Sequence, residues 1–202
     1  MDGGYCVPEM SEVFYLIKTN LHNSNIKSRL CGFVFAHEVN EFSKSKIIPM
    51  VEYWNSRSQE YVDFYFLGYL GTGCFFNRSF IEAIEYFETN TKWEYNGSPT
   101  MLLCRSFIND NGNGGLDLIS LIEIDFIQAE KNELIESVDA LFESIIRSSK
   151  KGEFIRFDFD FLKQIYGKPL ANSLIKTIFE NLPIKNISKI FNITSGIKIL
   201  SR

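Results

Sequence analysis

Short apolar runs along the chain alternate with longer segments of helical spacing. The runs cover residues 32–36, 61–70, 101–107 and 116–126, and each has strand length and is rich in β-forming residues. Glycines and asparagines at residues 109–115 separate the last two runs, which predicts an antiparallel hairpin. Alternation in the last run puts these residues on one face of the strand: Leu116, Leu118, Ser120, Ile122, Ile124 and Phe126.

Two amphipathic helices are predicted with their N-caps. Apolar residues recur every three or four positions over residues 12–21 and 80–91, although residues 12–21 would also fit a strand. Ser11 fits the N-cap of the first helix, and Ser79 with Glu82 fits a capping box for the second. These signals predict where the two helices begin.

Two further segments read as helices. Residues 41–56 have helical character but contain Pro49, which must kink the helix or mark its true first turn. Residues 127–150 have uninterrupted helical spacing, a basic last turn and Gly152 as the stop signal. From residue 32 the predicted order is therefore strand, helix, strand, helix, strand, strand, helix.

The chain divides into a main domain, residues 1–152, and a C-terminal extension, residues 153–202. Residues 1–10 read as a loose leader. The extension begins with an alternating segment, residues 154–161, which fits either an edge strand or the start of a helix, and its remainder is mostly of helical spacing. It is too apolar for a disordered linker, so we expect it to pack on the domain or on a partner.

Composition limits the function classes. The chain has 202 residues, a formal net charge of -4 and an isoelectric point near 5.3, which argues against a general nucleic-acid or anionic-membrane surface. Its apolar runs are shorter than a membrane span, and residues 1–4 lack the basic start of a signal peptide. We therefore expect a cytoplasmic protein that contacts neither membrane nor nucleic acid.

The four cysteines are scattered through the chain. No two of them form the Cys-x-x-Cys spacing of metal or redox sites, so we expect reduced structural thiols and neither metal nor cofactor. A single catalytic thiol remains an alternative only at Cys74, in a glycine-rich turn.

The element order, Pro49 and the Ser98-Pro99-Thr100 sequence before a strand resemble the thioredoxin fold over residues 11–151. Pro49 stands where that family has the proline that kinks its first core helix, and Pro99 stands at its cis-proline loop. The resemblance implies an α/β fold of order βαβαββα, with a central mixed sheet flanked by helices, and a cis Ser98–Pro99 bond.

The family's Cys-x-x-Cys motif maps onto residues 41–44, Glu-Phe-Ser-Lys. Dithiol chemistry needs an attacking thiolate and a resolving thiol at this helix start, and neither Glu41 nor Lys44 provides one. We therefore expect a redox-inactive protein.

The resemblance also predicts a binding patch without catalytic residues. In the family, the loop at the cis-proline is a ledge that binds peptides, and it borders the start of the first core helix. The predicted patch consists of His37, Glu38, Glu41, Lys44, Ser98, Pro99 and Thr100.

Three functions follow as hypotheses. The first is a protein-binding or scaffold module whose residues 153–202 dock on a partner or on a second copy. The second is an enzyme that uses His37, Glu38 and Glu41, or a single thiol, on a small peptide or glutathione-like substrate. The third is a subunit of a bacterial toxin–immunity or phage-defence complex.

One polar residue stands inside a predicted core strand. Asp63 lies in the apolar run at residues 61–70, and Arg57 lies in the segment just before it. A buried carboxylate requires a hydrogen-bonded partner. Asp63 is therefore expected to mark a buried charged contact.

Overall fold

The computed structural model describes residues 4–5, 9–58, 61–67, 76–150 and 197–200. The strands are β1 (Gly4–Tyr5), β2 (Ser28–Phe35), β3 (Val62–Leu67), β4 (Thr100–Ile108), β5 (Gly114–Asp125) and β6 (Ile197–Leu200). The α-helices are α1 (Met10–Asn23), α2 (Val51–Ser58), α3 (Phe76–Asn90), α4 (Phe126–Lys131) and α5 (Val138–Lys150).

The strands form one mixed sheet in the order β1-β3-β2-β4-β5-β6. Both β1 and β2 run parallel to β3, whereas β4, β5 and β6 each run antiparallel to the strand before them in this order. The predicted α/β class, with a central mixed sheet flanked by helices, is therefore confirmed.

Helices cover the two faces of the sheet and produce two separate cores. Along β2, Cys31, Phe33 and Phe35 belong to the core beneath α1 and α3, whereas Leu30 and Val34 belong to the core beneath α2 and α5. Because both faces are buried, β2 and β3 read as continuous apolar runs rather than as an alternating pattern.

Neither serine predicted as an N-cap has that role. Helix α1 begins before Ser11, at Met10, whose backbone N–H donates to Glu82 Oε2 at 2.9 Å. Helix α3 already includes Ser79, so Glu82 lies within α3 and satisfies the first turn of α1 instead of its own. The capping predictions fail because the acceptor for α1 comes from a distant part of the chain.

The helix predicted over residues 41–56 is present and is distorted around Pro49. A π-helical turn at Ser43–Ile47 and a 3-10 turn at Ile48–Met50 precede the regular helix α2. A proline inside a helix removes one backbone donor and crowds the preceding turn, which accounts for the irregular geometry. The indole of Trp54 then fixes α2 on α5 by donating to Asp139 Oδ1 at 2.9 Å.

The single helix predicted over residues 127–150 is wrong. The chain leaves helix α4 after Lys131, passes through Glu133 with a φ of 55°, and re-enters helix at Val138. Ser137 Oγ accepts a hydrogen bond from the N–H of Ala140 at 3.1 Å, as an N-cap does. Because Leu134 in the break is buried, its apolar side chain preserved the helical spacing through a non-helical segment.

The prediction of one continuous face in the last strand is also wrong. Arg105 lies opposite Asp117 and Leu103 lies opposite Ile122, so β5 uses five residue steps where β4 uses two. This bulge reverses the alternation, so that Leu116 and Leu118 pack on the α1 side while Ile122 packs on the α5 side. It also leaves Ile119 66% exposed.

The two ends of the chain join the sheet. Gly4–Tyr5 pairs with β3, so the leader is not loose at those residues, and Ile197–Leu200 pairs with β5 along Leu121–Ile124. The rest of the predicted extension, up to residue 196, and its alternating segment lie outside the described residues. In the part of the chain that the structure describes, no helix is long and apolar enough to cross a membrane.

Candidate functional site

The two segments that contain the predicted patch lie at the same end of the sheet, where β2 ends and β4 begins. Phe35 at the end of β2 lies opposite Thr100 at the start of β4. The loop that begins at residue 36 therefore leaves the sheet beside residues 98–100. The N–H of Ala36 donates to the carbonyl of Leu67 at 3.1 Å, so β3 also ends at this end of the sheet.

Hydrogen bonds within residues 37–43 hold the loop in one shape. His37 accepts at Nδ1 from the N–H of Val39 at 2.9 Å, and its carbonyl accepts from the N–H of Asn40 at 2.9 Å. Asn40 Oδ1 then accepts from the N–H groups of Phe42 and Ser43, at 3.0 and 3.2 Å. Asn40 is thus the N-cap of the following helix, a role that the sequence analysis missed although asparagine is a preferred N-cap residue.

One ring nitrogen of His37 has a structural part in this loop. Its Nδ1 is used within the loop, and its ring packs edge to face on Phe80 with the ring centroids 5.8 Å apart. This nitrogen is therefore not available to take a proton from a substrate.

The outer surface of the loop presents an apolar residue among charged ones. Val39 is 83% exposed, more than any other large hydrophobic residue among those described, and Glu41 and Lys44 are exposed on the helix that follows. Val39 was absent from the predicted patch, because exposure of a single valine in a polar segment has no signature in the sequence.

The Ser98–Pro99 bond is trans, so the predicted cis bond is wrong: no cis peptide bond occurs among the described residues. Gly97, with a φ of 85°, supplies the tight turn that leads the chain into β4. Asn96 Oδ1 stabilises this turn by accepting from the N–H of Ser98 at 2.8 Å.

The polar groups of residues 98–100 bond within the protein. Ser98 Oγ donates to Asp125 Oδ1, and Ser98 O accepts from Thr100 Oγ1, both at 2.9 Å. The carbonyl of Pro99 accepts from the N–H of Phe126 at 3.0 Å. Pro99 and Thr100 are also buried, so the exposed residues of this region lie in the loop and the start of the following helix.

The buried carboxylate that the sequence singled out has a different partner from the one suggested. Asp63 Oδ1 accepts from Arg29 Nη1 at 3.0 Å and from Asn20 Nδ2 at 3.4 Å. Arg57 instead binds Glu143 on α5, with Nη2 2.9 Å from Oε2. Asp63 is completely buried and lies on the α1 side of the sheet, away from the loop of the candidate site.

Burial raises the pKa of Asp63 from its ordinary value of 3.8 to about 6, although the charge and hydrogen bond of Arg29 oppose the shift. A carboxyl that binds its proton more tightly in the folded state adds stability at low pH. That contribution is complete below about pH 4 and is lost as the pH rises through about 6.

We therefore predict a specific difference between the wild type and Asp63→Asn, which lacks this titration. Between about pH 4 and pH 7 the unfolding free energy of the wild type should fall by about 2–3 kcal/mol relative to the asparagine variant. Urea unfolding of both proteins at intervals of pH measures this difference. A difference that stays constant over the range would contradict the raised pKa.

The described cysteines, Cys31 and Cys104, are buried in the core beneath α1 and do not form a disulfide with each other. Cys6 and Cys74, the second of which is the alternative catalytic thiol, lie outside the described residues. Within the described ranges, no group of three or more His, Cys, Asp or Glu residues is placed to hold a metal ion.

In comparisons of the chain with models of known protein families, with curated proteins and with solved structures, none matched.

Proposed function

We propose that this protein is a redox-inactive member of the thioredoxin-like proteins that binds another protein through residues 37–44. The element order from β2 to α5 and the helix distorted at Pro49 support the fold assignment. Glu41 and Lys44, where that family has cysteines, support the loss of dithiol chemistry.

The observation that carries the proposal is an exposed apolar residue in a loop whose shape is already fixed. Association costs conformational entropy, and a loop held by its own hydrogen bonds loses less of it on binding. Val39 can insert into an apolar pocket of a partner, with Glu41 and Lys44 as the polar rim of the contact. An apolar side chain surrounded by polar ones matches the general layout of protein interfaces, which have an apolar centre and a polar rim.

Val39→Ser is expected to weaken partner binding at least tenfold without changing the fold, because an exposed side chain contributes little to folding. Proteins captured by the tagged full-length wild type are compared with those captured by the variant. A protein that depends on Val39 is then purified, and its dissociation constant is measured by calorimetry with both forms.

Ile119→Ser is the matched control, because Ile119 is an exposed apolar residue in the β5 bulge, away from the loop. Unchanged binding with this control and weaker binding with Val39→Ser would support the proposal. Binding that survives Val39→Ser but is lost with Ile119→Ser would move the contact to the bulge and contradict it.

A variant with alanine at all four cysteines is expected to keep its partner affinity as long as it stays folded, because the proposed contact uses no thiol. Loss of binding by a folded variant would favour the thiol-enzyme hypothesis. Ile197–Leu200 pairs with its own β5 at the edge of the sheet, and the other residues of the extension lie outside the described part.

A further inference from the structure

Two thiols face each other inside the core on the α1 side of the sheet. Cys31 in β2 and Cys104 in β4 are direct partners in the antiparallel register. Their Sγ atoms are 3.4 Å apart, and both side chains are completely buried. The sequence analysis could not find this pair, because the two cysteines are 73 positions apart and become neighbours only through the sheet.

The closed fold protects the pair from reaction. Burial raises the pKa of the Cys31 thiol well above its ordinary value, and Cys104 and the carboxylate of Asp63 raise it further. The thiolate is the form that reacts with oxidants. Both cysteines share a core with Val13, Ile17 and Leu21 of α1, so a local separation of this helix from the sheet would admit water and small solutes.

We propose that Cys31 and Cys104 are an oxidisable pair that hydrogen peroxide converts to a cross-strand disulfide when α1 separates locally from the sheet. One thiol loses its proton, and the thiolate attacks a peroxide oxygen and breaks the O–O bond. This yields a sulfenic acid and a hydroxide, which takes up the released proton to form one molecule of water. The second thiol attacks that sulfur, the S–S bond forms, and the hydroxyl leaves as a second water. Two thiols are oxidised and one peroxide is reduced.

The geometry brings the two thiols close enough for this bond after a small contraction between β2 and β4. Directly opposed residues in antiparallel strands have Cβ atoms about 4.5–5.5 Å apart, whereas a disulfide needs about 3.5–4.5 Å. A contraction of about 1 Å between two strands that are already paired is sufficient. Because the disulfide would be buried, its reduction by thiols would require the same local separation of α1 from the sheet.

The disulfide would join the two strands that support the candidate site. Strand β2 leads into residues 37–44, and β4 begins at Thr100, beside that loop. The inference concerns the chemistry of the core and holds whether or not the loop binds a protein.

The test uses the full chain with Cys6→Ala and Cys74→Ala, so that only the pair remains. After treatment with hydrogen peroxide, the protein is unfolded, alkylated and analysed by intact mass and peptide mapping. The expected product is a monomer that has lost two hydrogens, resists alkylation and yields a Cys31–Cys104 cross-linked peptide. Two thiols that remain alkylatable, overoxidised thiols, or disulfide-linked dimers would each overturn the proposal.

Two matched variants test the role of α1. Ile17→Val removes one methyl group from the packing of α1 on the sheet, and Ile145→Val removes the same group from α5 on the opposite face. Both isoleucines are completely buried. Ile17→Val should speed oxidation about two- to tenfold, whereas Ile145→Val should leave the rate nearly unchanged. An equal increase with both variants would mean that the thiols react only after global unfolding, and it would overturn the local opening.

Discussion

Replacing Asp63 with alanine is expected to lower the free energy of unfolding by about 3–5 kcal/mol. The change leaves the Arg29 guanidinium, whose side chain is 4% exposed, without the carboxylate that it binds at 3.0 Å. Asn20 loses the same acceptor. The measurement is urea unfolding at pH 7, followed by circular dichroism.

The cost should be asymmetric between the two partners. An arginine side chain cannot give up its proton, whereas Asp63, with a pKa of about 6, can become neutral. Arg29→Met should therefore destabilise the protein less than Asp63→Ala. The double variant Arg29→Met with Asp63→Leu should recover most of the loss, because no uncompensated charge remains.

Asp117→Ala is the control for this prediction. Asp117 pairs with Arg105 at 2.9 Å, but the Arg105 side chain is 41% exposed, so the loss should stay within about 1 kcal/mol. If Asp63→Ala costs no more than Asp117→Ala, the buried pair does not stabilise the fold as we infer.

Replacing Phe142 with alanine is expected to lower the free energy of unfolding by about 3–5 kcal/mol, because it opens a cavity at the centre of the core beneath α2 and α5. Phe142 is completely buried and stacks on Trp54, with ring centroids 3.8 Å apart and an interplanar angle of 2°. It also packs on Phe64 of β3 at 4.7 Å, so one ring links α5 to α2 and to the sheet.

Urea unfolding followed by tryptophan fluorescence measures the effect of Phe142→Ala, since the ring contacts Trp54 directly. Phe142→Leu is the matched variant. It keeps most of the apolar volume and should cost clearly less than alanine. Similar losses for leucine and alanine would show that the stacking geometry, rather than the filled volume, determines the contribution of this residue.

Much of the fold was predictable because its causes are local. The four apolar runs formed strands, and the spacing of apolar residues identified α3 and indicated helix over most of α5, though not the break before it. The distortion at Pro49 was also predictable, because proline lacks the N–H that a helix interior needs.

The candidate site was predictable only in position. The resemblance placed residues 37–44 beside residues 98–100, and the register of β2 and β4 brings these segments to one edge of the sheet. It did not identify Val39 as the exposed residue or Asn40 as the cap. It also predicted a cis Ser98–Pro99 bond, which the turn at Gly97 makes unnecessary.

By itself the sequence determined the element types and the buried strands, because propensity and periodicity act over a few neighbouring residues. Tertiary structure alone decided that Glu82 caps α1, that Asp63 pairs with Arg29, and that Cys31 faces Cys104. Each of these contacts joins residues far apart in the chain. The residues next to a donor, a charge or a thiol in the sequence do not identify its partner. Strand order and helix packing determine that partner.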